Sequence, residues 1–303
     1  MTTALDLTRL PLPAAVEALD AEAIIAAMKA DLVTLDPDLA AVVDLESEPA
    51  VKLIQTWAYR ELLTRGRMND VVRSQYLATA TGADLDNVVA IYGVSRLLIT
   101  PANPLAIPPV AAVYEDDAAL RRRALLSIEA FSVAGPRGAW AYHALTADPD
   151  VLDVGVYGPD DVGAGVALGS VRIAVLSRTG DGTASPALLA AVEAALSDET
   201  VRPLGVLPVV EAAVILPYAV EATVAFLPGP GSGAALDAII ADVEQLVSDA
   251  HRVGAPLRRS ALFAALHRLG VVAEVTLTSP AADIEPAPGE APWCSAITIT
   301  EAV

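Results

Sequence analysis

The stretch that decides the fold reads Val151-Leu-Asp-Val-Gly-Val-Tyr157, then a glycine-rich run from Gly158 to Gly169, then Val171-Arg-Ile-Ala-Val-Leu176. Two short runs of alternating, β-branched character joined by a Gly-rich segment predict two strands of a hairpin. Just before them, Gly135-Pro136 opens a helix carrying Trp140 and Leu145, and Asp148-Pro149 ends it. Just after them, Ser185-Pro186 opens another helix through Leu196, and Val206–Val214 reads as a strand. Residues 137–215 therefore form one small α/β module in the order αββαβ.

Downstream, residues 216–303 give a second module. Tyr218–Phe226, Val271–Thr278 and Ile297–Thr300 are its expected strands, and Ala234–Ala250 and Ser260–Leu269 its helices. Its content is that of the first module with the elements cyclically shifted, a weak internal repeat. Upstream, the period is helical. Asp116-Asp117 starts a helix continued by Leu120, Ala124, Ile128 and Phe131, and the stretch before it, Thr100–Val110, holds four prolines and reads as an extended linker and candidate hinge. Residues 100–136 are thus a Pro-rich linker and helix. Residues 1–99 form a helical assembly region. Val16, Leu19 and Ala23, then Ile24, Met28 and Leu32, recur at helical spacing up to the Asp36-Pro37 break. A second helix opens at Ser47-Glu48-Pro49, carries Leu53, Trp57, Leu62, Val72 and Tyr76, and is interrupted by Gly66. With its stop at Gly82, it would reach on the order of 50 Å at about 1.5 Å per residue. Asp84 then caps a short helix, Leu85–Tyr92, stopped by Gly93. The fold class is α+β: a helical N-terminal region with long amphipathic helices, then two small α/β modules.

Composition narrows function. The hydrophobic fraction is 54% with only 4% aromatic, so the cores are built from Ala, Val and Leu. The net charge of −19 opposes a phosphate backbone, and no nucleic-acid partner is expected. The most apolar run, Val206–Leu227, is cut by Pro208, Glu211, Pro217 and Glu221 and reads as paired strands, so no membrane insertion is expected. The opening MTTALDLTRLPLP lacks a basic segment followed by an apolar one, and no signal peptide is expected. Seventeen of the 19 basic residues are arginine, suited to planar, bidentate contacts or to a GC-rich genome. The lone Cys294 excludes an internal disulfide.

Motifs for chemistry are weak. Gly229-Pro-Gly-Ser-Gly-Ala234 fits the dinucleotide pattern G-x-G-x-x-G/A between a strand and a helix. Pro230 removes an N–H from the would-be phosphate cradle, and no acidic strand end follows at the required distance, so a turn is the better reading. A nucleotide-binding α/β enzyme using this segment is the competing function. Arg178-Thr-Gly-Asp-Gly-Thr183 lacks the Gly-Lys-Ser/Thr ending of a P-loop and reads as a tight turn. His143, His251 and His267 show no zinc spacing, and no cofactor or metal is expected. Acidic pairs such as Asp116-Asp117 and Asp160-Asp161 fit a helix start and a loop. No catalytic residue is assigned. What stands out is Arg60, Arg65, Arg67 and Arg73 on the long helix beside Trp57, against the negative trend of the chain. These five are the candidate interface residues, with an acidic partner surface expected.

Several pieces carry a resemblance. Glu48-Pro-Ala50 leading to Trp57-Ala-Tyr-Arg-Glu-Leu-Leu63, then Ala80-Thr-Gly-Ala-Asp-Leu-Asp86 with Tyr92-Gly-Val94, resembles the N-terminal part of the baseplate J-like proteins of contractile phage tails. Ser177–Thr183, Leu277–Ile284 and Ala291-Pro-Trp-Cys294 follow in the same order, so the resemblance runs from about Ala14 onward. It implies a non-enzymatic wedge subunit, two copies per wedge, beside other wedge, hub and sheath-proximal proteins. It also implies a place in the virion tail baseplate, assembly in the host cytoplasm, and a part in the shape change that starts sheath contraction. A tailocin or gene transfer agent could use the same subunit.

Overall fold

The computed structural model describes Leu7, residues 10–227 and residues 232–302. The chain forms two compact units that divide between Ser95 and Arg96.

The N-terminal unit is helical. α1 (Ala21–Leu35) is capped by Asp20, whose carboxylate accepts from the N–H groups of Glu22 and Ala23 at 2.9 and 3.3 Å. Val16 and Leu19 precede α1 rather than joining it. A short 3-10 turn at Pro37–Ala41 follows the expected Asp36-Pro37 break. α2 (Pro49–Ser74) runs 26 residues, about 39 Å at 1.5 Å per residue, and is continuous through Gly66. A Cβ at Gly66 would lie 3.6 Å from Leu19 Cδ1, so the glycine sits where the incoming chain presses on the helix. The helix ends at Ser74, not at Gly82. Ser74 Oγ donates to Val71 O and Thr79 Oγ1 to Arg73 O, so hydroxyls take carbonyls that the next turn would have used. Gly82 begins α3 (Gly82–Ala90) with φ of +53°, after Thr81 at the cap position. Leu85 and Val89 bury its inner face. Asn69, buried in α2, accepts from Glu17 N–H at 3.0 Å and donates to Glu17 O at 2.9 Å.

The C-terminal unit begins with a hairpin. The segment expected to be an extended linker folds back on itself. β1 (Leu98–Thr100) pairs antiparallel with β2 (Val113–Tyr114), and Asn103 and Val110 exchange two backbone hydrogen bonds at 2.9 and 3.0 Å. Asn103 Oδ1 also accepts from Leu105 N–H and turns the chain into the tip. α4 (Asp117–Ala130) follows, capped by Asp116 on Ala119 N–H at 2.8 Å. Leu120 and Ala124 bury as expected, whereas Ile128 and Phe131 are exposed. α5 (Arg137–Ala147) has Pro136 at its cap position, so Glu129 of α4 supplies the missing acceptor to Gly138 N–H at 2.9 Å.

The first module is a three-stranded sheet in the order β3 (Val151–Tyr157), β4 (Ser170–Ser177), β5 (Leu207–Ala212). β3 and β4 form the expected hairpin, and β5 joins β4 in parallel through α6 (Pro186–Leu196), capped by Ser185 on Leu188 N–H. Trp140, Ala144, Val154, Val156, Ile173, Val175, Leu188 and Val192 form its core. The second sheet is ordered β7 (Val272–Ser279), β6 (Val214–Phe226), β8 (Glu290–Glu301). β6 is antiparallel to β7 and parallel to β8, and α7 (Ser232–Ala250) and α8 (Arg259–Leu266) cover one face through Val220, Val224, Ile239, Val243, Leu262 and Leu266. The run 206–227 is thus two strands, but not a pair. Ala213 N–H donates to Val175 O in one sheet, and Val214 N–H donates to Gly289 O in the other, so the chain changes sheets within one peptide unit. β8 is far longer than the expected Ile297–Thr300.

Candidate functional site

α2 presents two unlike faces. Val51, Ala58 and Asn69 bury one side. On the opposite side Leu53, Trp57, Arg60, Thr64, Arg67 and Val71 fall at alternating spacings of four and three, and all are exposed. Trp57 is 67% exposed and Leu53 62%, with Leu63 and Met68 flanking the stripe. Leu63, Thr64, Arg67, Met68, Val71 and Val72 line a shallow apolar groove along it. Spacing of four and three is the seam by which one helix takes another. An exposed tryptophan and leucine row on a helix whose other face is already packed has no role in the unit's own core.

Of the five residues expected at an interface, Trp57, Arg60 and Arg67 share this stripe. Among the described residues Arg60 and Arg67 make no ion pair. Arg65 lies on the other flank, held by Glu61 at 2.6 Å and by Glu17 at 3.1 Å, and these two carboxylates raise its pKa. Arg73 faces Asp70 at 3.9 Å. So the stripe holds two available guanidinium groups among apolar side chains, a pattern suited to bidentate contact with carboxylates at a protein interface.

A second concave feature lies in the C-terminal unit, where α4, β3 and the loop after α7 meet. It is a cleft of about 800 Å³ lined by Asp116, Arg122, Arg137, Asp153, Tyr157, Asp161, Arg252 and Pro288, among others. Its charges answer one another. Arg122 Nη2 lies 2.5 Å from Asp153 Oδ1 in an ion pair outside hydrogen-bond alignment, and Asp153 Oδ2 accepts from Val253 N–H at 2.9 Å. Arg137 donates to Val156 O and to both oxygens of Asp161. Gly158 N–H also donates to Asp161 at 2.6 Å, and this bond, with Arg137, holds the carboxyl below the usual range. Beside the cleft, Arg123 and Glu115 form a buried bidentate pair at 3.1 and 2.5 Å, and Glu115 Oε1 accepts from Leu97 N–H. Tyr157 Oη accepts from Gly289 N–H, and His251 Nδ1 lies 2.7 Å from Pro292 O. The Gly289–Tyr157 and Val253–Asp153 bonds stitch the two modules together, and the His251–Pro292 contact ties the end of α7 to β8 within the second. They are structural: every carboxylate that could act as a base is tied to an arginine, a backbone N–H or a helix start.

The loop Arg178–Thr183 is a tight turn, as read. Asp150 accepts from Ser177 Oγ and Thr179 Oγ1 at 2.7 and 2.8 Å, and Asp181 accepts from Thr183 N–H at 3.0 Å within the turn. Gly229–Ala234 lies largely outside the described residues. Burial lowers the pKa of His143, and Asp198 pulls it the other way. Burial also pushes the Cys294 thiol up, which suits an inert packed thiol. Among the described residues, no group of three or more His, Cys, Asp or Glu could hold a metal ion. No helix among them is long and apolar enough to cross a membrane.

Sequence reading missed Asp153 and Arg122, because they meet only across the fold and the backbone partner of Asp153, Val253, is 100 residues away. The buried Arg123 left a trace, since it shares the helical spacing of Leu120, Ala124 and Ser127.

Comparison with known proteins decides the family. Residues 46–103 match the Baseplate J-like N-terminal domain and residues 132–212 the Baseplate J-like central domain. The chain is 42% identical over 296 residues to a protein named Baseplate protein J from Escherichia phage P2, covering 96% of this chain and 95% of that one. It belongs to the baseplate J-like family. Among solved structures, one similar chain comes from the cryo-EM structure of the anti-feeding prophage (AFP) baseplate, 6-fold symmetrised, at 17% identity and a TM-score of 0.40. This chain spans 43% of that chain's length, and 63% of this chain is covered. The α2 stripe falls within the matched N-terminal domain of this baseplate J-like chain.

Proposed function

We propose that this baseplate J-like chain is a structural subunit of a contractile tail baseplate that works by holding other proteins and not by catalysis. The likeness to Baseplate protein J of phage P2 across nearly the whole chain supports the baseplate role. In the finer reading it is a wedge subunit, present as two copies per wedge, which joins other wedge, hub and sheath-proximal proteins in the virion after assembly in the host cytoplasm. Its change of arrangement takes part in triggering sheath contraction.

The observation that carries the interaction reading is the exposed stripe of α2. Helix pairing along Leu53, Trp57, Thr64 and Val71 buries apolar surface, while Arg60 and Arg67 select an acidic partner. Arg65 and Arg73 lie off the stripe, one turn before and one turn after the buried Asn69. The Thr100–Val110 segment remains a proposed hinge, now as a paired hairpin. Equal geometry before and after contraction would remove it.

The test is co-expression with the products of the two flanking reading frames, then pull-down and light scattering on a sizing column. The expected result is a stable complex with two copies of this chain, lost when Arg60 and Arg67 are replaced by Glu. A monomer that ignores both neighbours would overturn the wedge reading. Millimolar nucleotide should leave the melting temperature unchanged, and a rise would favour the competing enzyme.

A further inference from the structure

Strand edges in natural proteins are guarded, and three of the four edges of the two three-stranded sheets here are. β3 is buried or half-buried along its length, carries Asp153 and has a break in register after Val151. β5 contains Pro208 and Glu211. β7 carries Glu274 and meets β6 through two breaks in register. Proline, charge and bulges are the devices that stop an edge from accepting another strand.

β8 is different. From Ser295 to Thr300 it has neither proline nor charge, and its pairing with β6 is unbroken from Ala296 to Glu301. Ala302 N–H donates to Val224 O, so by alternation the N–H and C=O groups of Ile297, Ile299 and Glu301 point away from β6. Ile297 and Ile299 are half-buried under α7, and Thr298 and Thr300 are exposed.

The surroundings say what would fit. His251, just after α7, reaches Pro292 of β8, whereas Asp242 on the other flank of α7 pairs with Arg268. The flank toward β8 therefore carries Asp237 and Glu244, seven residues apart, about 10 Å along the helix. Both are exposed, and among the described residues neither has a cationic partner. Glu301 adds a third carboxylate at the end of the edge.

We propose that the outer edge of β8 accepts an added strand from a partner protein: an extended segment with lysine or arginine on the face toward α7. Backbone pairing to Ile297, Ile299 and Glu301 supplies the affinity, and Asp237 and Glu244 select the basic side chains. A second copy of this chain is disfavoured, because a β8–β8 pair would bring two such acidic flanks together. The inference adds a defined surface to the assembly reading. Its test needs no particle, so it can fail while that reading stands.

The probe is a peptide of about ten residues in which threonine alternates with lysine and valine, long enough to span the edge. It is added to the full chain and followed by amide hydrogen exchange and calorimetry. The expected result is protection of the Ile297, Ile299 and Glu301 amides, with binding weakened about tenfold between roughly 50 and 500 mM salt. A glutamate-for-lysine peptide should bind at least about tenfold less tightly, as should the lysine peptide to Asp237→Asn/Glu244→Gln. Ile299→Pro removes an outward N–H and should abolish binding. If it fails to fold, Thr298→Lys, on the exposed face of the edge, takes its place. Unprotected amides, equal binding of both peptides, or binding unaffected by these variants would overturn the proposal. A dimer in sedimentation that Ile299→Pro or Thr298→Lys dissolves would overturn it in favour of self-pairing.

Discussion

The two sheets of the C-terminal unit share a plan and differ in their surroundings. Each has a central strand with an antiparallel neighbour on one side and a parallel neighbour on the other. In the first, both faces of β4 are covered: Ile173 and Val175 meet helices, and Ala174 and Leu176 meet Ala213, just past β5, and Ala291 from the second module. In the second, the face opposite the helices is covered only at Ala291 and Ile215, and it is solvated farther along, where Glu221 and Thr298 stand on it. The same arrangement can serve as an interior or as an outward-facing platform, and the residues facing away from the helices decide which.

The sharpest way to break this comparison is at the flank of the covered sheet. Glu115→Ala leaves Arg123 buried without its partner and should cost about 3–5 kcal/mol in chemical denaturation, whereas replacing the pair together by Leu and Met should restore most of it. Next, Leu176→Ala, on the second face of β4, should cost about 2–5 kcal/mol, while Thr223→Ala, on the solvated face of β6, should cost less than about 1 kcal/mol. Equal losses would show that the two faces are alike after all. Tyr157→Phe removes one bond between the modules, to Gly289, and should cost about 0.5–1.5 kcal/mol. The smallest effect concerns pH. Asp161 has a depressed native pKa, so its contribution is present above the ordinary carboxylate value of about 3.9 and is lost as pH falls through its lower native value. The stability gap between the chain and Asp161→Asn should therefore be visible at neutral pH and close in acid.

Local signals made much of this legible. The αββαβ order of the first module was readable because its strands are apolar on both faces and Ser185-Pro186 marks a helix start. The long helix was readable as a helix but not in its end, since Val72 and Tyr76 keep helical spacing while Ser74 and Thr79 divert the carbonyls. β8 was half hidden: Pro292 and Ser295 spoil its alternation, yet Pro292 pairs beside Leu216 in a parallel ladder. The Pro-rich segment looked extended because proline favours extended backbone, while its closure depends on Asn103 meeting Val110. At the proposed interface, spacing along one helix places Trp57, Arg60 and Arg67 on a common stripe. Arg65 was not separable from them, because its partner Glu17 lies 48 residues earlier in the chain.

The route of β6 also sets a timetable. β3 finds β4 across the single loop Gly158–Gly169, so the first module can close early. β6 is a central strand whose ladder joins Glu221 to Ser279 and to Thr298, roughly sixty and eighty residues later. Such distant closures are slow. During synthesis, β6 leaves the ribosome with both its edges bare and waits for partners still being made. The second module is therefore the last to form and the one that most needs protection from wrong pairing in the crowd of identical chains around it.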